Sequence, residues 1–505
     1  MTSPAATATL AAAPIGLILA LMLGLRWSAA RAGLAGLALA AVLATTVFGF
    51  GSPNAIDGAP ASTPREFAGV FAEGGFLAGT ILWILLPALA LHHHQQRCGA
   101  LDALREGLAR LTPERPLQAL LVGWFLALFL EGAAGFGTPV ALAAPILVGL
   151  GVPAVQAVVL ALLGHAAGVS FGALGTPVAA QVALTGLDPV AIAWNTALLH
   201  ALLGSLLMVF FMRTLAAAGM VRPPVGWAAL AAAGFLLPCL AIAATIGPAL
   251  ATLGAALAGS ALFIAVLVQR RTAPHMPPAA GIGRALWPYG VLVALVLATR
   301  LPALAQPLGE IVLQWQLFDR YGASMQPLMH PGTLLFAALL VGARLQRVPL
   351  RDLAGPLALA AKRLLPVTAA LLAMLCLSRL MLHAGMIAAL QEAAVRGVGR
   401  GWPLVAPAVG ALGSFVTGSA TASNVLFTTL QAQTAQALSL SPTALVAAQG
   451  LGAAIGNIVS PHNIIAGAAT VGLAGREAEI LRRTLWPCAI YLALGGLLVA
   501  WLAAG

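Results

Sequence analysis

The chain has 505 residues, of which 61% are hydrophobic and only 8% charged, with a formal net charge of +11. Average soluble domains carry about 25% charged residues, so this composition excludes an ordinary soluble protein. The positive charge is spread between apolar runs and is not gathered on a polar module, which excludes a nucleic-acid-binding role.

Apolar runs of the length a hydrocarbon layer requires recur along the chain. They cover 10–25, 32–50, 75–91, 226–246, 248–268, 285–302 and 484–503. Each reads as a helix, because lipid satisfies no backbone polar group. The alternation of a membrane barrel is absent. No basic n-region precedes 10–25, so this run is expected to remain as the first span. Segment 51–73, with Pro53, Asp57, Pro60 and Pro64, reads as an external loop. Segment 304–330 reads as another, with an interfacial helix. Stretches 98–112 and 386–400 are amphipathic and suit the membrane interface.

Threading the helices in order places most of the 25 basic residues on one side. Arg26, Arg31, Arg97, Arg105, Arg110, Arg115, Arg213 and Arg222 fall there. So do Arg270, Arg271, Arg284, Arg344, Arg347, Arg351, Lys362, Arg363, Arg476, Arg482 and Arg483. The positive-inside rule makes that side cytoplasmic and both termini periplasmic, in a multi-pass protein of the bacterial inner membrane.

Two segments interrupt this pattern with small and polar residues. The first is Glu131-Gly132-Ala133-Ala134-Gly135-Phe136-Gly137-Thr138-Pro139, and the second Thr417-Gly418-Ser419-Ala420-Thr421-Ala422-Ser423-Asn424. Each is followed by a further break ending in hydroxyl-proline, at Gly175-Thr176-Pro177 and at Val459-Ser460-Pro461. Gly132 then aligns with Gly418 and Thr176 with Ser460. Paired interruptions in corresponding halves are the sequence mark of a transporter's binding site.

The expected fold is an all-α polytopic membrane protein with about 12 transmembrane helices and two re-entrant hairpins. Residues 1–212 form a first repeat, with a hairpin at about 116–150 and a broken helix at 154–186. Residues 213–284 form a linker helix pair. Residues 285–505 form a second repeat, with a hairpin at 402–438 and a broken helix at 442–474. Charge counting has the hairpins enter from opposite faces, so the repeats are inverted.

Glu131 is the one acidic residue read as deep in an apolar segment, where a bare carboxylate costs several kcal/mol. It is a proton-coupling group, or a structural acceptor that pins the turn. Gly132, Gly135 and Gly137 permit tight backbone approach, and amides freed at helix N-termini there suit a carboxylate. Close helix packing is the competing explanation for these glycines. Thr138, Thr417, Ser419, Thr421, Ser423 and Asn424 are expensive in hydrocarbon unless they line a site. The broken helices add Ser170, Thr176, Asn457, Ser460, His462 and Asn463 as candidate substrate contacts, and His165 as a second proton group or a neutral structural histidine. His200 and His383 read as packing or boundary residues, and His92, His93 and His94 as a solvated helix end. Arg379 pairs with Glu131, balances substrate charge, snorkels or forms a structural ion pair. No metal or cofactor is expected; the four cysteines lack CxxC spacing.

These motifs resemble the lactate permease family of bacterial symporters for small 2-hydroxy monocarboxylates. Glu131 through Val140, Phe171 through Pro177, Thr417 through Phe427 and Ser460 through Ile464 look like four of its signatures, in the same order. The resemblance implies proton-coupled uptake of lactate or glycolate, kinship with the ion-transporter superfamily, and a homodimer. It departs at two positions: the best-known members carry aspartate where this chain has Ala420 and asparagine where it has His165. A sodium-coupled carboxylate carrier and a passive anion channel are the alternatives. No HExxH or GxSxG element supports an enzyme.

Overall fold

The computed structural model describes residues 4–504 except 26, 52–62, 136, 221–222, 271–281, 300 and 474–475. Prolines and glycines set most element boundaries. The helices run α1 (Pro4–Gly24), α2 (Ala29–Thr46), α3 (Thr63–Arg97) and the amphipathic α4 (Ala100–Arg110). The first hairpin descends through α5 (Arg115–Leu120), a π-turn over 121–126 and α6 (Ala127–Ala133), and returns as α7 (Thr138–Gly149). The first broken helix comprises α8 (Ala154–His165), a 3-10 segment over 166–171 and α9 (Gly172–Thr185). Then come α10 (Pro189–Ala217), α11 (Val225–Thr245), α12 (Pro248–Gln269), α13 (Ile282–Ala298) and α14 (Pro302–Gly309).

A short antiparallel hairpin, β1 (Leu313–Leu317) and β2 (Tyr321–Met325), precedes α15 (Pro331–Leu345) and α16 (Ala354–His383). After α17 (Met386–Gly397), the second hairpin is α18 (Trp402–Thr417) and α19 (Ala420–Ala437). The second broken helix is α20 (Pro442–Gly456), a 3-10 turn over 457–459 and α21 (Pro461–Thr470), and α22 (Glu477–Ala504) closes the chain.

Among the described residues, 11 helices are long and apolar enough to cross a membrane, or 12 if α13 and α14, bent by 84°, count as one span. The protein is an all-α polytopic membrane protein apart from the one β-hairpin. Two readings of loops require correction. The helix of α3 begins at Thr63, inside the segment expected to be an external loop, and the prolines at 53 and 60 lie outside the described residues. The 304–330 segment holds the β-hairpin as well as a helix. Its alternation Leu313-Gln314-Trp315-Gln316-Leu317 has the period of a strand, and Phe318 and Asp319 turn at φ 56° and 57°.

Helices in lipid gain little from apolar burial against one another, so they are held by close backbone approach through small residues. A Cβ on Gly164 of α8 would strike the Gly123 carbonyl of the π-turn. One on Gly452 of α20 would strike the Pro407 carbonyl of α18, and one on Gly259 of α12 the Gly234 carbonyl of α11. Each hairpin is thereby locked to its broken helix. The second lock is reinforced by buried polar side chains. Trp402 Nε1 donates to Gln431 Oε1 at 2.8 Å, Gln431 Nε2 to Gln449 Oε1 at 3.3 Å, and Ser423 Oγ to the Gly410 carbonyl at 2.7 Å.

Around this core, α3 packs along α16, and α16 along α2. The β-hairpin clamps that pair at one end. Tyr321 is fully buried with its ring over Gly69, and its hydroxyl donates to Glu66 Oε2 at 2.5 Å. Burial pushes the Tyr321 phenol above its ordinary range, so it remains the donor. Arg320 bonds the same carboxylate oxygen at 2.8 Å. Two helical turns on, Glu73 accepts from the Gly322 amide at 3.3 Å and pairs with His383 at 2.8 Å. Glu131 is therefore not alone among buried acids, but Glu66 and Glu73 are both paired.

Gly69→Ala drives a methyl into the Tyr321 ring and is expected to cost about 1–3 kcal/mol. The thermal midpoint of the purified protein should fall for this variant, and Gly69→Ala/Tyr321→Ala should lose less than the sum of the two single changes, because Tyr321→Ala removes the clash.

Candidate functional site

The two hairpin tips and the two broken helices meet around one small cavity of about 40 Å³. The first half contributes Glu131, Gly135 and Gly137 from its hairpin, and Val169, Gly172, Ala173, Thr176 and Pro177 from its broken helix. The second half contributes Gly418, Ser419, Ala420 and Thr421 from its hairpin, and Asn457. The volume admits roughly three waters. Two larger cavities lie apart from it. One of about 240 Å³ sits between α4 and the outer flank of the first hairpin, lined by Gln96, Asp102 and five apolar residues. The other, about 340 Å³, belongs to the β-hairpin. Neither draws on the breaks of both halves, so we place the site at the small cavity.

Local sequence explains the turns that wall it. Gly135 and Gly137 adopt φ of 60° and 74°, which L side chains resist, and Pro139 starts the returning helix with its preset φ. In α9 the break is a left-handed turn over Ala173 (φ 41°), Leu174 (57°) and Gly175 (78°), after which helix resumes at Thr176-Pro177. In the second hairpin Gly418 turns at φ 73°, and Ser419 caps α19 by accepting from the Ala422 amide at 3.3 Å. The amides of Ala420 and Thr421 begin that helix without an i−4 carbonyl inside it. Three helix N-termini, those of α7, resumed α9 and α19, thus border one cavity with their positive ends.

Glu131 is 5% exposed, and among the described residues no donor pairs with its carboxyl. The residue lies between the two glycine turns. A Cβ built on Gly172 would overlap its Oε1, and one on Gly135 would lie 3.5 Å from it. Those glycines leave the space that the carboxyl group occupies.

Of the residues singled out in the sequence, Glu131, Gly135, Gly137, Thr176, Ser419, Thr421 and Asn457 line the cavity. The others stand off it for identifiable reasons. Gly132 abuts the Leu253 backbone of α12, a packing glycine. Thr138 donates to Gly135 O at 2.7 Å, Thr417 to Gly413 O at 2.8 Å and Ser423 to Gly410 O, so these hydroxyls satisfy local carbonyls. Asn424 Nδ2 reaches across the halves to Pro177 O at 3.0 Å. Ser170 bonds Gly450 O at 3.1 Å and His200 at 2.9 Å. His200 in turn meets the Tyr491 hydroxyl at 2.8 Å, forming a buried chain between α10 and α22. Ser460 Oγ is buried without a partner among the described residues, and His462 is exposed against Gly418. Asn463 holds Asn457, donating to its Oδ1 at 2.8 Å and its carbonyl at 3.2 Å. His165 bonds Ala161 O through Nδ1 at 2.6 Å and also engages the Asn457 side chain.

One further expectation is corrected. His92, His93 and His94 are buried, not a solvated end, because α3 continues to Arg97 beneath neighbouring helices; His94 Nε2 lies 2.7 Å from Gln346 Oε1 of the segment after α15. Of the alternatives open for Arg379, the structure has the structural ion pair, made with Glu73 and not with Glu131. Arg379 lies 3.9 Å from Glu73 and donates to Ala183 O at the end of α9, 2.9 Å away. Of the lining residues that sequence reasoning did not select, Gly172, Ala173, Pro177, Gly418 and Ala420 lie inside the recognised breaks, but Val169 carries no local signal.

This architecture, a polytopic helical bundle with two hairpins and two broken helices around a central polar cavity, defines a multi-pass membrane transporter. Its fold is similar to that of MtrF from Neisseria gonorrhoeae, described as one of a class of antimetabolite efflux pumps (TM-score 0.53, 15% identity, covering 95% of this chain and 96% of that one). It is also similar to the YdaH transporter of Alcanivorax borkumensis (TM-score 0.54, 16% identity, 92% and 96% covered). The L-lactate permease family model matches residues 7–504. The chain belongs to that family. Its relatives include the glycolate permease of Escherichia coli K12, 31% identical over 86% of this chain and 87% of that protein. The L-lactate permeases of the same strain and of Bacillus subtilis are 29% and 26% identical, covering 84% and 90% of this chain and 85% and 88% of theirs.

Replacing Asn463 with leucine removes both of its hydrogen bonds to Asn457 in a buried site, an expected loss of about 1–3 kcal/mol. Exposed His462→Ala should stay within about 0.5 kcal/mol of the parent. Thermal unfolding of the two variants in the same detergent compares them directly.

Proposed function

We propose that this protein is a proton-coupled carrier of small 2-hydroxy monocarboxylates, glycolate and lactate first, across the bacterial inner membrane. The observation that carries the reading is the meeting, at a single cavity, of three helix N-termini and one buried carboxyl group that is unpaired among the described residues. Helix N-termini favour an anion. An ionised Glu131 beside that anion would repel it, whereas a neutral one would not. Anion binding and protonation of Glu131 therefore favour one another, and the two effects are reciprocal. A carrier built this way moves one proton with each anion, an electroneutral exchange of sides.

The permease names of the relatives support the substrate class, and hydroxyls at Thr176, Ser419 and Thr421 supply hydrogen bonds suited to a carboxylate and a 2-hydroxyl. The basic loops support a cytoplasmic side holding 97–115 and 344–363, with both termini periplasmic. On that topology residues 1–212 and 285–505 are inverted repeats whose hairpins enter from opposite faces. The cavity volume belongs to a closed state, and the hairpins must part to admit a three-carbon acid.

Reconstituted protein should accumulate labelled glycolate or lactate on an inward proton gradient, with sodium gradients lacking effect. Sodium-driven, pH-independent uptake would overturn the proton coupling, and flux without accumulation would indicate a channel. Glu131→Gln, a permanently neutral mimic, should abolish concentrative uptake while retaining exchange of internal for external substrate.

A further inference from the structure

The cavity is not polar all round. Val169 and Ala420 form one wall, each 3% exposed, and together with Ala453 and Ala454 they make a small apolar cluster separate from the main hydrophobic core. Glu131, Thr176, Ser419, Thr421 and Asn457 supply the polar lining. Ala453 and Ala454 are completely buried behind the wall, so it has no slack.

We propose that the Val169–Ala420 wall is the subsite for the carbon substituent at C2 of the hydroxy acid and that it sets the chain length carried. The inference rests on the reading of the cavity as the carboxylate site. A 2-hydroxy monocarboxylate has two polar groups and, opposite them, either a hydrogen, a methyl or a longer alkyl group. With the carboxylate and hydroxyl on the polar lining, the substituent is left facing the only lining pair that belongs to the separate apolar cluster. Val169 comes from the first broken helix and Ala420 from the first turn of α19, so the wall spans both halves. It is complete only when the second hairpin is seated, and a substituent too large for it would hold the hairpin away. Ala420 thereby acquires a role: its methyl completes the apolar surface of the wall from the second half.

Wild-type protein and two single variants would be reconstituted and assayed with glycolate, lactate and 2-hydroxybutyrate in competition. Val169→Ala deepens the wall and should raise 2-hydroxybutyrate uptake relative to lactate by about tenfold, and Ala420→Val should lower lactate relative to glycolate by a similar factor, the scale of one methylene in an apolar pocket. The ratios decide, whatever the absolute rates. Ratios unchanged from wild type, with all acids falling together, would overturn the subsite. If Ala420→Val fails to reach the membrane, the Val169→Ala ratio decides alone. Failure of the wild type to carry any of the three acids would refute the underlying site reading instead.

Discussion

A helix interrupted inside a hydrocarbon layer exposes backbone groups that lipid cannot satisfy. Four such interruptions occur in this chain, and the fold depends on their being buried against one another. Thr138 and Thr176 return hydrogen bonds to Gly135 O and Ala173 O, and Asn457 and Asn463 reach the Gly418 carbonyl at 3.4 and 3.3 Å. The requirement to hide broken backbone from lipid and the walling of a central cavity are thus met by one arrangement. The breaks can exist because they are gathered, and once gathered they form a polar pocket.

What surrounds the breaks follows from that gathering. Bringing four interrupted segments together requires backbones to approach more closely than side chains allow, hence the glycines of α8, α18 and α20 seated against carbonyls. Polar side chains then replace some of what apolar packing cannot supply in lipid, as in the Trp402–Gln431–Gln449 chain. Farther out, the α3–α16 pair is clamped by the β-hairpin and touches the breaks through Arg379 and the end of α9. The buried paired carboxylates, Glu66 and Glu73, lie on this outer pair, and Glu131, which no donor among the described residues pairs, lies at the centre.

The hairpins and breaks were legible in the sequence because glycine, proline and hydroxyl residues have few other uses in apolar runs. Which polar residues face the cavity was not legible. Thr421 and Ser423 stand two positions apart on one helix, yet one lines the cavity and the other bonds Gly410 O. That choice is made by the rotation of α19 against α18 and α20, a tertiary fact. Glu73 escaped notice because it stands at the edge of a segment read as a loop, and its partners Arg379 and His383 lie some 300 positions away in sequence. The strand pattern at 313–317 was available and was passed over for an interfacial helix. Val169 could not have been found from its neighbours at all.

The halves resemble each other in sequence but are not mechanically equal. In the second, the broken helix relaxes through a 3-10 turn into an extended Ser460 at φ −65° and ψ 127°, a conformation open to any residue. In the first, Ala173 and Leu174 are held left-handed although both carry a Cβ. Residues so placed store about 1–3 kcal/mol each and persist only where surrounding structure over-determines them. The first break is therefore loaded where the second is not, and any rearrangement that loosens the grip on residues 173–175 is assisted by the release of that tension.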